Sequence, residues 1–349
     1  MSRMVAVVVA VVMVAAGAGQ AHAQSAVRDR TVTRDRVVFV DRYQGRDRDQ
    51  REQQTERSTR TLKLGANGEV YIANIAGNIA VMRGGGNEAT LEIVKTSRGR
   101  TAEDAREMLE LVHVDITERG SRAEIKTRYP QGEEWRRNNR RNINVSVAMT
   151  LTAPAGTRVQ ASSISGDIST RDIKGDVALE SVSGSVRISN AGRVAAAKSI
   201  SGSVEITDTE IEGQLEASSV SGTVLMRNVK ARSLEAGAVS GNVVVQDVSC
   251  DRVEAQTVSG DVQFSGTLAR GGRYELSSHS GTIRAAVAGD TGFEVEATSF
   301  SGDVRSDIPL KTESTDGRRR NRTIRGVYGD GSAVLDLTTF SGSIVISRR

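Results

Sequence analysis

The chain has 349 residues, of which 38% are hydrophobic and 3% aromatic, with 35 glycines and only 3 prolines. That hydrophobic share excludes a chain disordered throughout, and the shortage of aromatics calls for a narrow core of Val, Ile, Leu and Ala crossed by many tight turns. A formal charge of +4 against 47 basic and 43 acidic residues gives no general case for a nucleic-acid partner.

The N-terminus reads as an export signal. Arg3 supplies a positive region, Met4 to Ala16 an apolar run of 13 residues, and Ala21-His22-Ala23 a small-x-small cleavage site before Gln24. Such a run falls short of the roughly 20 residues that span a bilayer. Residues 1–23 are therefore expected to be removed, leaving an exported chain without a transmembrane segment, resident in the periplasm, on the outer surface or in the medium. No cysteine follows the apolar run to carry a lipid. Cys250 is the only cysteine, so no intrachain disulfide can form, and it is expected to be a small residue in a turn.

Residues 24–60 are expected to form an extended or disordered arm, because ten Arg alternate with seven acids between Arg28 and Arg60. Residues 61–158 are expected to hold a degenerate first coil and a capping region. "GEVYIANIAGNIAV" (Gly68 to Val81) alternates about Gly77, with Val70 and Ile72 inward. "TAEDAREMLELV" (Thr101 to Val112) predicts a helix: Thr101 can cap it, and Ala105, Met108, Leu109 and Val112 share a face. Strands are predicted at 122–128 and 143–151, around the Arg-rich connector "EEWRRNNRRN".

From residue 159 the chain repeats itself. Ser-Gly recurs at Gly166, Gly184, Gly202, Gly222, Gly241, Gly260, Gly281, Gly302 and Gly342, in steps of 18, 18, 20, 19, 19, 21, 21 and 40 residues. Two residues after each glycine stands Ile or Val; five before, Ala or Leu; seven before, an apolar residue. Period-two alternation in units too short to bury anything alone predicts strands that stack, unit upon unit, around one core. The expected fold is all-β: a parallel β-solenoid of about 19-residue coils, with the glycines at a corner.

The apolar column two residues before glycine (Ile164, Val182, Ile200, Val220, Val239, Val258, His279, Phe300, Phe340) is placed inward, which makes His279 a buried or corner histidine. The serine directly before glycine is expected to bond the local backbone at the corner. The 40-residue step leaves room for an exposed loop at 311–326, which carries Arg318, Arg319, Arg320, Arg322 and Arg325.

One column carries charge. Six residues before the corner glycine stand Glu216, Glu235, Glu254, Glu275, Glu296 and Asp336. Stacked, they would form a carboxylate file relieved by neighbouring Arg and Lys. Its alternative use is to hold calcium or a basic segment, although calcium sites usually need six or more oxygens.

The pattern "LTAPAGTRVQASSISGDI" (Leu151 to Ile168), the iterated "SGxV" and the closing "GDGSAVLDLTTFSGSIVI" resemble the bacterial putative adhesin family, domain of unknown function 4097, a family of β-strand repeat-containing proteins. The resemblance covers about residues 60 to 349 and implies the repeat fold; it brings no catalytic residues with it.

Catalysis finds little support. The expected mature chain has only His113 and His279, one cysteine and no phosphate loop, since "RGGGNEA" lacks the lysine such a loop needs. Zinc lacks ligands. The chain reads as a non-enzymatic surface or envelope protein, an adhesin or interaction scaffold without cofactor, whose partner is a protein or glycan. Two alternatives remain: a polysaccharide-binding or polysaccharide-cleaving β-helix using the carboxylate face, and an envelope signalling accessory acting through the Arg loop.

Overall fold

The computed structural model describes residues 51–130, 143–312 and 322–349, which lie in one compact unit. The expected signal, most of the Arg-rich arm, the connector "EEWRRNNRRN" and the centre of the Arg-rich loop fall outside the described residues.

Among the described residues the fold is all-β with one helix. The N-terminal part comprises β1 (Glu52–Leu62), β2 (Glu69–Ala76), β3 (Ile79–Arg83), β4 (Ala89–Gly99), α1 (Ala102–Leu111), β5 (His113–Arg119), β6 (Arg122–Arg128) and β7 (Val145–Ala153). The repeats supply β8 (Arg158–Ser165), β9 (Ile168–Arg171), β10 (Asp176–Ser183), β11 (Val186–Ser189), β12 (Arg193–Ser199), β13 (Val204–Glu210), β14 (Gln214–Ser219), β15 (Val224–Ser240), β16 (Val243–Ser259) and β17 (Val262–Ser280). The C-terminal part adds β18 (Ile283–Ala288), β19 (Phe293–Ser301), β20 (Val304–Ser306), β21 (Lys311–Thr312), β22 (Thr323–Tyr328), β23 (Ala333–Ser341) and β24 (Ile344–Arg348).

Alternation in the sequence becomes alternation in burial. Along β10, Val177, Leu179 and Ser181 are buried, while Glu180 and Val182 between and after them are exposed. Partners lie one repeat apart in parallel pairs: Val177 opposite Val159, Leu234 opposite Leu215, Val253 opposite Leu234. After the corner, Val186 sits between Ile168 and Val204. The columns two after, five before and, with one exception, seven before glycine are all core residues. At Gly202 the position seven before is Ala195, which is exposed. There β12 shifts register against β10, pairing Val177 with Val194 and Ala178 with Ala196, and Val194 takes the inward place.

The corner glycines are required by close approach. A Cβ on Gly260 would lie 2.2 Å from the carbonyl oxygen of Gly241, and one on Gly241 would lie 2.1 Å from that of Gly222. No side chain fits between backbones that near.

Three expectations need correction. First, the sheet is mixed, not parallel throughout. β4 runs antiparallel between β1 and β7, β5 antiparallel to β6, and β22 antiparallel to β19. These strands lie where the parallel pairs would otherwise leave unpaired N–H and C=O groups, an edge the chain covers with its own segments. Second, the arm does not extend to residue 60. Glu52–Leu62 is a strand paired with β4 along its whole length, from Glu52 opposite Gly99 to Leu62 opposite Ala89. Its charged, mostly exposed side chains gave no apolar alternation. Third, residues 323–328 are a strand, not part of an exposed loop, and Arg325 lies opposite Glu296.

The last repeats are not in chain order. β23 pairs in parallel with both β17 and β19, and β24 with both β18 and β20. Residues 333–348 therefore occupy a slot between the units of Gly281 and Gly302. At the other end, β2 lies between β6 and β8, and β3 between β7 and β9. Helix α1 begins at Thr101, whose side chain accepts from the Asp104 amide at 3.1 Å, and buries Ala105, Met108 and Leu109.

Candidate functional site

Two exposed features run along the repeats: a file of carboxylates and a ridge of apolar side chains.

The carboxylates are brought together by register, in the spatial order Glu216, Glu235, Glu254, Glu275, Asp336, Glu296. Asp336 enters between Glu275 and Glu296 because β23 is inserted there. Neighbours in the file stand on adjacent strands, about 4.8 Å apart along the sheet. Burial, then the charges of Glu216 and Glu254, push the Glu235 carboxyl above its ordinary range. Burial likewise raises that of Asp336, with Glu275 and Glu296 adding to the effect against a hydrogen bond from Thr338. Cations hold the flanks: Lys198 pairs with Glu216 at 2.9 Å, Arg273 with Glu275 at 2.5 Å, and Arg325 with Glu296. The file is linear. Among the described residues no three His, Cys, Asp or Glu side chains converge on a point where a metal ion could sit.

The corner itself departs from expectation. Apart from the shift at Ala195, inward parity runs through positions seven, five and three before glycine, so the buried corner residue is the third, a Ser or Thr in most repeats. Except at Ser163, these hydroxyls donate to the corner glycine carbonyl of a neighbouring unit, for example Ser199 to Gly184 at 2.9 Å, Ser219 to Gly202 at 2.8 Å, Thr257 to Gly241 at 2.8 Å and Ser278 to Gly260 at 3.0 Å. These buried hydroxyls, and not the serines directly before glycine, tie the corner together; the latter are exposed.

Consequently the column two before glycine points outward, contrary to its inward placement from sequence. Ile164 is 53% exposed, Phe300 64% and Phe340 48%, with Val182, Ile200 and Val258 close to 40%. His279 is on this exposed ridge as well. Its ring stacks on Phe340 at 4.9 Å between centroids, and Phe340 stacks on Phe300 at 4.7 Å. The aromatic order again follows space and not chain.

A further ladder has no counterpart in the sequence reading. Six residues after the corner glycine, Asp172, Asn190, Asp208, Asn228 and Asp247 adopt positive φ between 50° and 60°. Short polar residues tolerate that conformation. Their alternation lets each amide serve a neighbouring carboxylate, Asn190 to Asp172 at 2.5 Å and Asn228 to Asp208 at 2.7 Å. The recurrence of Asn or Asp six residues after glycine was the available signal.

Cys250 faces the core within β16 and not in a turn, and burial raises its thiol to about 11. Beside it the Tyr274 hydroxyl donates to the Cys250 carbonyl at 2.7 Å.

Among solved structures, a putative adhesin from Bacteroides fragilis is similar over 84% of this chain and 97% of its own, with 13% identity and a TM-score of 0.39. A putative cell adhesion protein from Clostridium sporogenes is similar over 85% and 100%, with 10% identity and a TM-score of 0.24. A putative lipid binding protein from Parabacteroides distasonis covers 84% and 96%, with 13% identity and a TM-score of 0.36. No curated protein matches the sequence. The model of one family, Toastrack, domain of unknown function 4097, matches residues 69–347. A match of that extent, spanning the first unit about Gly77, every repeat and the inserted C-terminal unit, makes this chain a member of the Toastrack family.

Proposed function

We propose that the protein is an exported, non-enzymatic scaffold of the cell envelope or surface, with an adhesin-like role in which its repeats present an interaction face. In this reading the parallel pairs form one continuous β-solenoid with coils of about 19 residues. The observation that supports it is the register. From β14 to β17, Glu216, Glu235, Glu254 and Glu275 fall opposite one another, and so do Leu215, Leu234, Val253 and Tyr274 on the inner side. A backbone that repeats its register repeats its surface, and long uniform faces are how stacked-repeat proteins bind. The reading needs no cofactor, with the carboxylate file partly neutralised by the chain's own Lys198, Arg273 and Arg325 rather than by calcium.

Export is tested by N-terminal sequencing of the protein from fractionated cells: a chain starting at Gln24 in the periplasm, on the surface or in the medium supports it, and an intact Met1 in the cytoplasm contradicts it. The surface role is tested by comparing attachment of wild-type and deletion cells to glycan-coated and protein-coated surfaces. Equal attachment to all of them would contradict an adhesive role.

A further inference from the structure

The ridge of Ile, Val and Phe, exposed except at the half-buried Val220 and Val239, lies outside the core, and its cost in water is recovered only if something covers it. It differs from the rest of this highly charged surface. The nine serines that stand before the corner glycines flank it on one side, all exposed. On the other side, four residues before each glycine, the column is mostly Ser, Thr, Gln or Gly. Its two charges, Glu180 and Lys198, are register partners of opposite sign.

We propose that the ridge is the interface with a second copy of this chain, forming an isologous dimer. Three properties fix the occupant. The side chains recur at the strand spacing, about 4.8 Å, and a second copy carries a ladder of the same period, so the two stay in step over their whole length. The strip has no net charge, so identical strips meet without like-charge repulsion, as the carboxylate file could not. Three columns of nine residues each also match the roughly 20–30 residues a side of a stable protein interface. A two-fold axis then places the same patch on both sides.

The test is sedimentation equilibrium on the full chain across micromolar concentrations, with two paired substitutions. Ile200 and Val258 are exposed and, once Ile75 of the first unit is counted into the ladder beside Ile164, lie at equal distances from its middle. They face their own counterparts if the copies run parallel and each other if antiparallel. The wild type should be dimeric. Ile200→Glu/Val258→Glu and Ile200→Lys/Val258→Lys should each show half that mass, and an equimolar mixture of the two should regain it. Thermal melts check that both variants are folded; if either is not, Ile200→Ser/Val258→Ser should still weaken the dimer at least tenfold. A monomeric wild type, a dimer that survives the substitutions, or a mixture that stays monomeric overturns the proposal. Retention of a monomeric wild type on a neutral polysaccharide matrix, lost in the variants, would assign the ridge to a glycan instead.

Discussion

At Gly241 and Gly260 the decisive quantity is a distance. A Cβ at either would lie 2.1–2.2 Å from a carbonyl oxygen of the neighbouring unit, and the obstructing atoms nearest it are backbone, which cannot swing aside. Replacing either with Val should destabilise the fold by about 1–3 kcal/mol, whereas Gln263→Ala, at an outward position, should stay within about 0.5 kcal/mol. Urea melts compare them; equal effects would mean the glycines are not at a packed corner. The hydroxyl column gives a second residue-level outcome. Ser219→Ala removes the donor to the Gly202 carbonyl and should cost about 1 kcal/mol, while Ser221→Ala, on the exposed side of the same corner, should cost almost nothing. Reversal of that order would restore the serine before glycine as the structural hydroxyl.

Among elements, the carboxylate file has a pH signature. For Glu235 and Asp336 the folded-state pKa lies above the unfolded value. The folded chain then holds the proton more tightly, so their contribution is fully present below the unfolded value and is lost as pH rises through the folded one. At neutral pH they oppose folding. Asp167, lowered by hydrogen bonds from Arg187 and the Ser185 amide, has the opposite sign and loses its contribution as pH falls. Glu235→Gln should therefore stabilise the protein at pH 7, by about 0.2–1 kcal/mol for relief of like-charge neighbours, and the gain should fade as pH falls through the carboxylate range. Melts of both proteins with calcium against chelator, at fixed ionic strength, should coincide. A wild type stabilised by millimolar calcium, with that response lost in the variant, would show that the file binds the ion.

The elements legible in the sequence were those whose burial alternates or turns once per 3.6 residues: α1 with its Thr101 cap, β6, and the strands on either side of each glycine. β1 was not legible because its side chains are charged or polar on both faces, and pairing with β4 alone makes it a strand. The corner was misread by one residue for a physical reason. Composition places Ile and Phe inside and Ser outside, but at most corners a small buried hydroxyl donates to a glycine carbonyl, which an apolar side chain cannot do. The carboxylate file was legible as a column, yet not in its spatial order, because order depends on which strands pair.

For the whole molecule, that order is the feature repetition alone could not reveal. Every unit carries the same pattern, so the sequence contains no mark that residues 333–348 belong between the units of Gly281 and Gly302. The inserted unit joins segments distant along the chain, with Ser341 opposite both Ser280 and Ser301. Disulfide trapping at these exposed serines tests the arrangement directly, in a Cys250→Ala background that removes the only native thiol. Adjacent strands lie within the Cα reach of a disulfide, about 4.4–6.8 Å, and strands two apart do not. The account predicts that Ser280→Cys/Ser341→Cys and Ser301→Cys/Ser341→Cys cross-link under mild oxidation while Ser280→Cys/Ser301→Cys stays reduced. Efficient cross-linking of 280 to 301, with the 280–341 pair silent, would contradict it and show that the units stack in chain order.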